Sequence, residues 1–157
     1  MDEFAVARAV HVVAVVVWIG GVSFVTTVLL PAIGREVEPG LRVSLFERVE
    51  ARFAWQARVT TLIAGVSGLW LTVRWQLWSR FVDAGFWWMH AMVAVWALFT
   101  LMLFVLEPIF LHRWFSQRAL RDPEGTFTLV RMLHRVLLAV SLVTVAAATL
   151  GAHGGLS

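Results

Sequence analysis

Long apolar runs separated by short charged segments set the plan of this chain. Four stretches, at about 9–30, about 59–78, 86–106 and about 127–150, are apolar over the length a helix needs to cross a bilayer, roughly 20 residues. Such lengths are too great for buried strands, and hydrocarbon offers nothing to satisfy an open strand edge, so helices follow. Between the first two runs, residues 35–56 are charged yet keep Leu45, Phe46, Val49 and Phe53 at helical spacing. That pattern predicts an amphipathic interfacial helix with Glu47, Arg48, Glu50 and Arg52 on its wet side. Pro31 predicts the end of the first helix, Glu107-Pro108 the end of the third or a kinked extension of it, and Asp122-Pro123-Glu124-Gly125 a turn before the fourth. The expected fold is therefore all-α: an integral membrane four-helix bundle with an amphipathic cytoplasmic helix between the first two spans, forming a single transmembrane domain over residues 1–157.

Composition agrees. The chain is 60% hydrophobic and only 15% charged, with a mean hydropathy of +0.80, so its solvent is lipid rather than water. The first run follows Arg8 but is longer than a signal-peptide core and ends in no A-x-A site, which predicts a mature helix. Without cysteine there are no disulfides, thiolate metal sites, c-type haem attachments or cysteine nucleophiles. All 13 basic residues are arginine, which excludes a Schiff-base lysine. Arg35, Arg42, Arg48, Arg52 and Arg58 follow the first run, and Arg113, Arg118, Arg121, Arg131 and Arg135 surround the third connection, whereas the opposite face holds only Arg8, Arg74 and Arg80. The positive-inside rule then makes the first and third connections cytoplasmic and turns both termini outward.

Imidazoles within such runs are uncommon and mark functional positions. His11 and His90 lie about three and five residues inside their runs from the same face, a difference of one helical turn or less at about 1.5 Å per residue. A pair at one level calls for a shared ligand, and haem iron is the first candidate. Ala94 and Ala97 follow His90 at i+4 and i+7 and leave room for a flat macrocycle, while Trp18 and the adjacent Gly20 and Gly21 let a neighbouring backbone or a cofactor approach the first helix. His153 reaches the same side as an alternative ligand. Met89 and Met92 flank His90, so a Cu(I) site of imidazole and thioether is the competing reading. Towards the cytoplasm, His134 sits between Arg131 and Arg135, with His112, Glu107 and Arg58 within reach. This cluster suits either a second haem whose propionates pair with arginine or a basic belt meeting anionic lipid head groups. No Ser-His-Asp order, phosphate loop or intramembrane carboxylate pair is present, and no catalytic residue is assigned.

His11 followed by Trp18, Gly21 and Phe24, then Glu50-Ala51-Arg52-Phe53, Trp88-Met89-His90-Ala91-Met92 and Arg131-Met132-Leu133-His134 resemble in order the motifs of HemJ-type protoporphyrinogen oxidases and the related CopD-like membrane proteins. The resemblance covers most of the chain and implies a four-helix membrane bundle that binds b-type haem and, in the HemJ branch, oxidises protoporphyrinogen IX. This chain has Met92 where that branch has Lys, Thr26-Thr27 where it has Pro-Arg, and His134 where it has Asn. What carries over is the scaffold and haem binding, not the reaction.

Together these readings predict a bacterial inner-membrane protein, N-out and C-out, with one or two b haems and an electron-transfer or redox role. His11 and His90 are the expected axial ligands, with His134, His112, His153 and Met92 as alternatives and Trp18, Gly21, Arg58 and Arg131 beside the cofactor. Expected partners are the bilayer, a quinone or redox protein, and a further copy of the chain, but no nucleic acid. Copper handling, porphyrinogen oxidation and a cofactor-free subunit of a larger complex are the alternatives.

Overall fold

The computed structural model describes residues 2–155, the side chain of His112 excepted. Every element among them is helical. The first helix, α1 (Glu3–Phe24), is capped by Asp2, whose carboxylate accepts from Phe4 N at 3.0 Å. It does not stop at Pro31. Five residues, Val25–Leu29, widen to an i→i+5 register, and α2 (Leu30–Glu36) continues with the proline in its first turn, where its missing N–H is tolerated.

The amphipathic segment and the second apolar run are one helix, α3 (Pro39–Arg74), with Pro39 at its first position. The face of its first half is set by Val43, Phe46, Ala54 and Ala57, which are buried. Glu47 and Glu50 flank that face and are only partly exposed, while Arg48 and Arg52 point outward, so the wet side holds the two arginines without the two glutamates. Gln76, at φ 53°, turns the chain out of α3. Two single turns, Leu77–Phe81 and Ala84–Phe86, lead to α4 (Trp87–Leu101).

The third run likewise passes its proline. Met102–Leu111 adopts the wider i→i+5 register around Pro108 and runs into α5 (His112–Arg121). Asp122 then caps α6 (Pro123–Ala152), accepting from Gly125 N at 2.9 Å.

Three of these continuous helices, Glu3–Glu36, Ala84–Leu111 and Pro123–Ala152, are long and apolar enough to cross a membrane. The fourth long helix, α3, is not among them: Arg58 and Arg74 bracket its apolar part. α1 and α3 pack antiparallel, since His11 lies against Ala64 and Ser67 and Gly21 against Phe53. One core cluster joins Ala14, Trp18, Ile19 and Val22 to Ala64, Val95, Phe99 and Leu138; a second gathers Val25, Leu30, Ile33, Val43, Phe46, Phe127 and Val130 at the arginine-rich end. Many large apolar side chains face outward, among them Val16, Val66, Trp70 and Val143, an arrangement compatible with contact to a lipid bilayer.

Candidate functional site

Burial of Ala14, Trp18 and Val22 turns the half-buried His11 towards α3. Its Nδ1 lies 2.9 Å from the Ala64 carbonyl oxygen and 3.1 Å from Ser67 Oγ. A carbonyl can only accept, so Nδ1 carries a hydrogen, and in the neutral ring Nε2 keeps its lone pair. The Ser67 hydroxyl donates to Ile63 O at 2.6 Å and so presents a lone pair of its own to the imidazole. The ring lies over Gly68, where a Cβ would come within 3.1 Å of Cε1. An imidazole held by one nitrogen on a backbone carbonyl, with no partner for the other among the described residues, is oriented as metal-binding histidines are.

His90 is placed differently. Burial of Trp88, Met89, Val95 and Phe99 fixes the rotation of α4 and sends His90, Val93, Ala94 and Ala97 to its outer face. There His90 is exposed, with its ring edge-on to Phe81 at 5.3 Å. Trp18 and Phe99 meet edge to face at 4.9 Å, which puts His11 and His90 at similar heights on parallel helices. Their side chains nevertheless leave those helices on different sides, and the expected convergence on one ligand is not formed. Ala94 and Ala97 open no space inside the bundle for the same reason.

The glycine surfaces are filled by the protein's own rings. Phe53 occupies the space beside Gly21, Trp96 that beside Gly65 and Trp88 that beside Gly151. Trp96 is further held by its indole N–H, which donates to Thr61 O at 2.9 Å. Trp18 Nε1 and Thr61 Oγ1 are buried with no hydrogen-bond partner among the described residues.

Nearer the arginine-rich end, α3 lays a polar stripe on three other elements. Glu47 accepts from Ser116 Oγ at 3.0 Å, Glu50 stands 3.7 Å from His134 Nε2, and Arg58 pairs with Glu107 at 3.3 Å. His134 also donates from Nδ1 to Val130 O at 2.9 Å and meets Phe46 edge-on at 5.3 Å. Arg58 and His134 therefore belong to separate contacts, Arg58 with Glu107 and His134 beside Glu50, an ion pair only when the imidazole is protonated. Arg131 lies half-buried beside Gly34. His153 donates to Thr149 O at 2.8 Å at the exposed end of α6. Met92 packs with Trp88, Met89 and Ala147, where a thioether acts as apolar filling. The proposed role of His112 lies outside the described side chains. No group of three or more His, Asp or Glu that could hold a metal occurs among the described residues.

Sequence reasoning placed Glu50 on the wet side of its helix rather than against His134, and gave Ser67 and Thr61 no role. The signal for Glu50 and Thr61 is the spacing Glu47, Glu50, Ala54, Arg58, Thr61, which winds one inward stripe along α3. No protein-family model, curated protein or solved structure matches the chain.

Proposed function

We propose that the chain is a four-helix bundle of the bacterial inner membrane, both termini outward, that binds one b-type haem through His11 and serves electron transfer. The observation that carries this reading is His11 itself: Nδ1–H is fixed on Ala64 O, and Nε2 is left as a basic nitrogen in a membrane helix. That donor set fits an axial ligand. Haem bound there would supply one-electron chemistry; the residues of this chain supply the orientation, with Ala64 and Ser67 fixing the imidazole. His90, exposed on another face, does not complete a two-histidine site within one chain. With Arg58 committed to Glu107 and His134 facing Glu50, the second cluster is read as an interfacial belt rather than a second haem site. The α3 helix becomes the fourth span if its Arg58 end sits at the cytoplasmic interface, in keeping with the arginine-rich connections.

An optical spectrum of the purified protein tests the reading. The expected result is a Soret band with a reduced α-band in wild type, lost in His11→Ala and kept in His90→Ala. Protein that shows no Soret band after reconstitution with haem would overturn it. The reading then favoured is a cofactor-free subunit, supported by the rings that fill the glycine surfaces.

A further inference from the structure

Between the first and last helices runs an open groove of about 460 Å³, lined by Thr26, Thr27, Pro31, Arg135, Leu138, Ala139 and Leu142. The wider register at Val25–Leu29 and the proline after it shape its first wall. Its polar groups are unequal. Thr26 and Thr27 give their hydroxyl hydrogens to Val22 O and Ser23 O, both at 2.7 Å, so the wall offers a ligand no free hydroxyl hydrogen. Arg135 is the one charged side chain in the lining, is exposed, and forms no ion pair among the described residues. Arg131 lies one turn before it on α6. From Val136 to the end of α6 no charged residue follows, so Arg135 marks the polar edge of that helix and Leu138, Ala139 and Leu142 lead from it into the apolar run.

We propose that this groove holds one anionic phospholipid, its phosphate on the Arg135 guanidinium and an acyl chain along Leu138, Ala139 and Leu142. The arrangement matches the ligand end to end. A guanidinium recognises phosphate through parallel donors, basic pockets between membrane helices select anionic head groups, and the remaining wall is hydrocarbon with no donor to satisfy a sugar or a polar ring. The direction also agrees with a lipid in its leaflet: charge lies at the arginine-rich end, and apolar side chains lie deeper. The inference needs the chain to sit in a membrane but does not depend on haem at His11.

Native mass spectrometry of the delipidated full-length protein tests it, with phosphatidylglycerol and phosphatidylcholine of identical chains as probes and inorganic phosphate as a third. Wild type is expected to retain one phosphatidylglycerol per chain, with a preference over phosphatidylcholine of roughly fivefold, the scale of one basic side chain near an anionic head group. Arg135→Gln should abolish the preference, Arg135→Lys should keep most of it, and Ala139→Trp should reduce occupancy by both lipids. Arg113→Gln, outside the groove at the same end, should change nothing. Equal binding of the two lipids by wild type would overturn the proposal without recourse to any variant. So would saturation by inorganic phosphate alone, an undiminished preference in Arg135→Gln, or an equal loss in Arg113→Gln.

Discussion

Arg58 donates its Nε–H to the carbonyl oxygen of Leu103 at 3.0 Å, and Leu103 stands five residues before Pro108. In the i→i+5 register of this segment, that carbonyl is the one Pro108 would have served had it possessed an N–H. The arginine of α3 thus satisfies the acceptor that the proline orphans, and its terminal nitrogen meets Glu107, the residue before that proline, at 3.3 Å. The nearness of Arg58 to Glu107 is legible in sequence, but the bond to Leu103 O that makes the two sides one joint is not.

Arg58→Gln is expected to destabilise the protein by about 1–3 kcal/mol, the cost of an unsatisfied polar group away from water. In a Pro108→Ala background the same change should cost less, because alanine returns an N–H to the ladder. A double-mutant cycle followed by thermal unfolding in detergent measures the difference. Equal costs in both backgrounds would remove Leu103 from the explanation.

Gly65→Ala should destabilise by about 1–3 kcal/mol through overpacking. The new methyl meets the Trp96 indole, which cannot swing aside without giving up its bond to Thr61 O. Gly20→Ala is the control: nothing lies within 4 Å of its added Cβ, and the better helix propensity of alanine should leave it neutral or up to about 1 kcal/mol more stable. Unfolding midpoints of the two variants give the comparison.

Asp122→Ala removes the cap of α6 and should cost about 1 kcal/mol, with faster amide exchange confined to the first turn after Pro123. Asp122→Asn keeps an oxygen for Gly125 N and should lose little. Exchange that accelerates throughout α6 in Asp122→Ala would mean the cap does more than hold one turn.

The absence of cysteine makes topology easy to read by single-site labelling. Ser79→Cys, in the exposed turn after α3, should react with a membrane-impermeant thiol reagent in intact cells. Gln117→Cys, exposed on α5, should react only after permeabilisation. The reverse pattern would invert the orientation.

Hydropathy located the apolar runs because lipid exposure is a property of side chains summed over many positions. It misplaced the helix ends because a backbone ladder ends only where its hydrogen bonds do: α1 and α2 carry the first helix from Glu3 to Glu36, beyond the apolar run at both ends. Pro31 reads as a break and Pro108 as a break or a kink, and local widening of the register carries the helix past each. For the candidate site, the position of His11 was legible but its partners were not, since Ala64 and Ser67 lie 53 and 56 residues away. The azimuth of His90 was hidden for another reason. In a run where nearly every residue is apolar, periodicity does not reveal which face turns inward; the bulk of Trp88, Val95 and Phe99 decides it.

Rings seated on glycines also bear on how the chain assembles. Lipid tails are as apolar as the side chains they replace, so greasiness alone does not tell inserted helices which neighbour to choose or at what height. Phe53 of α3 seats on Gly21 of α1 while His11 of α1 seats on Gly68 of α3, and Trp96 and Trp88 seat α4 on α3 and α6. A slip of α1 along α3 by one residue, about 1.5 Å, unseats both reciprocal rings at once. The recognition code between these helices is thus written in shape, as paired knobs and notches pointing in opposite directions, and it admits a single alignment.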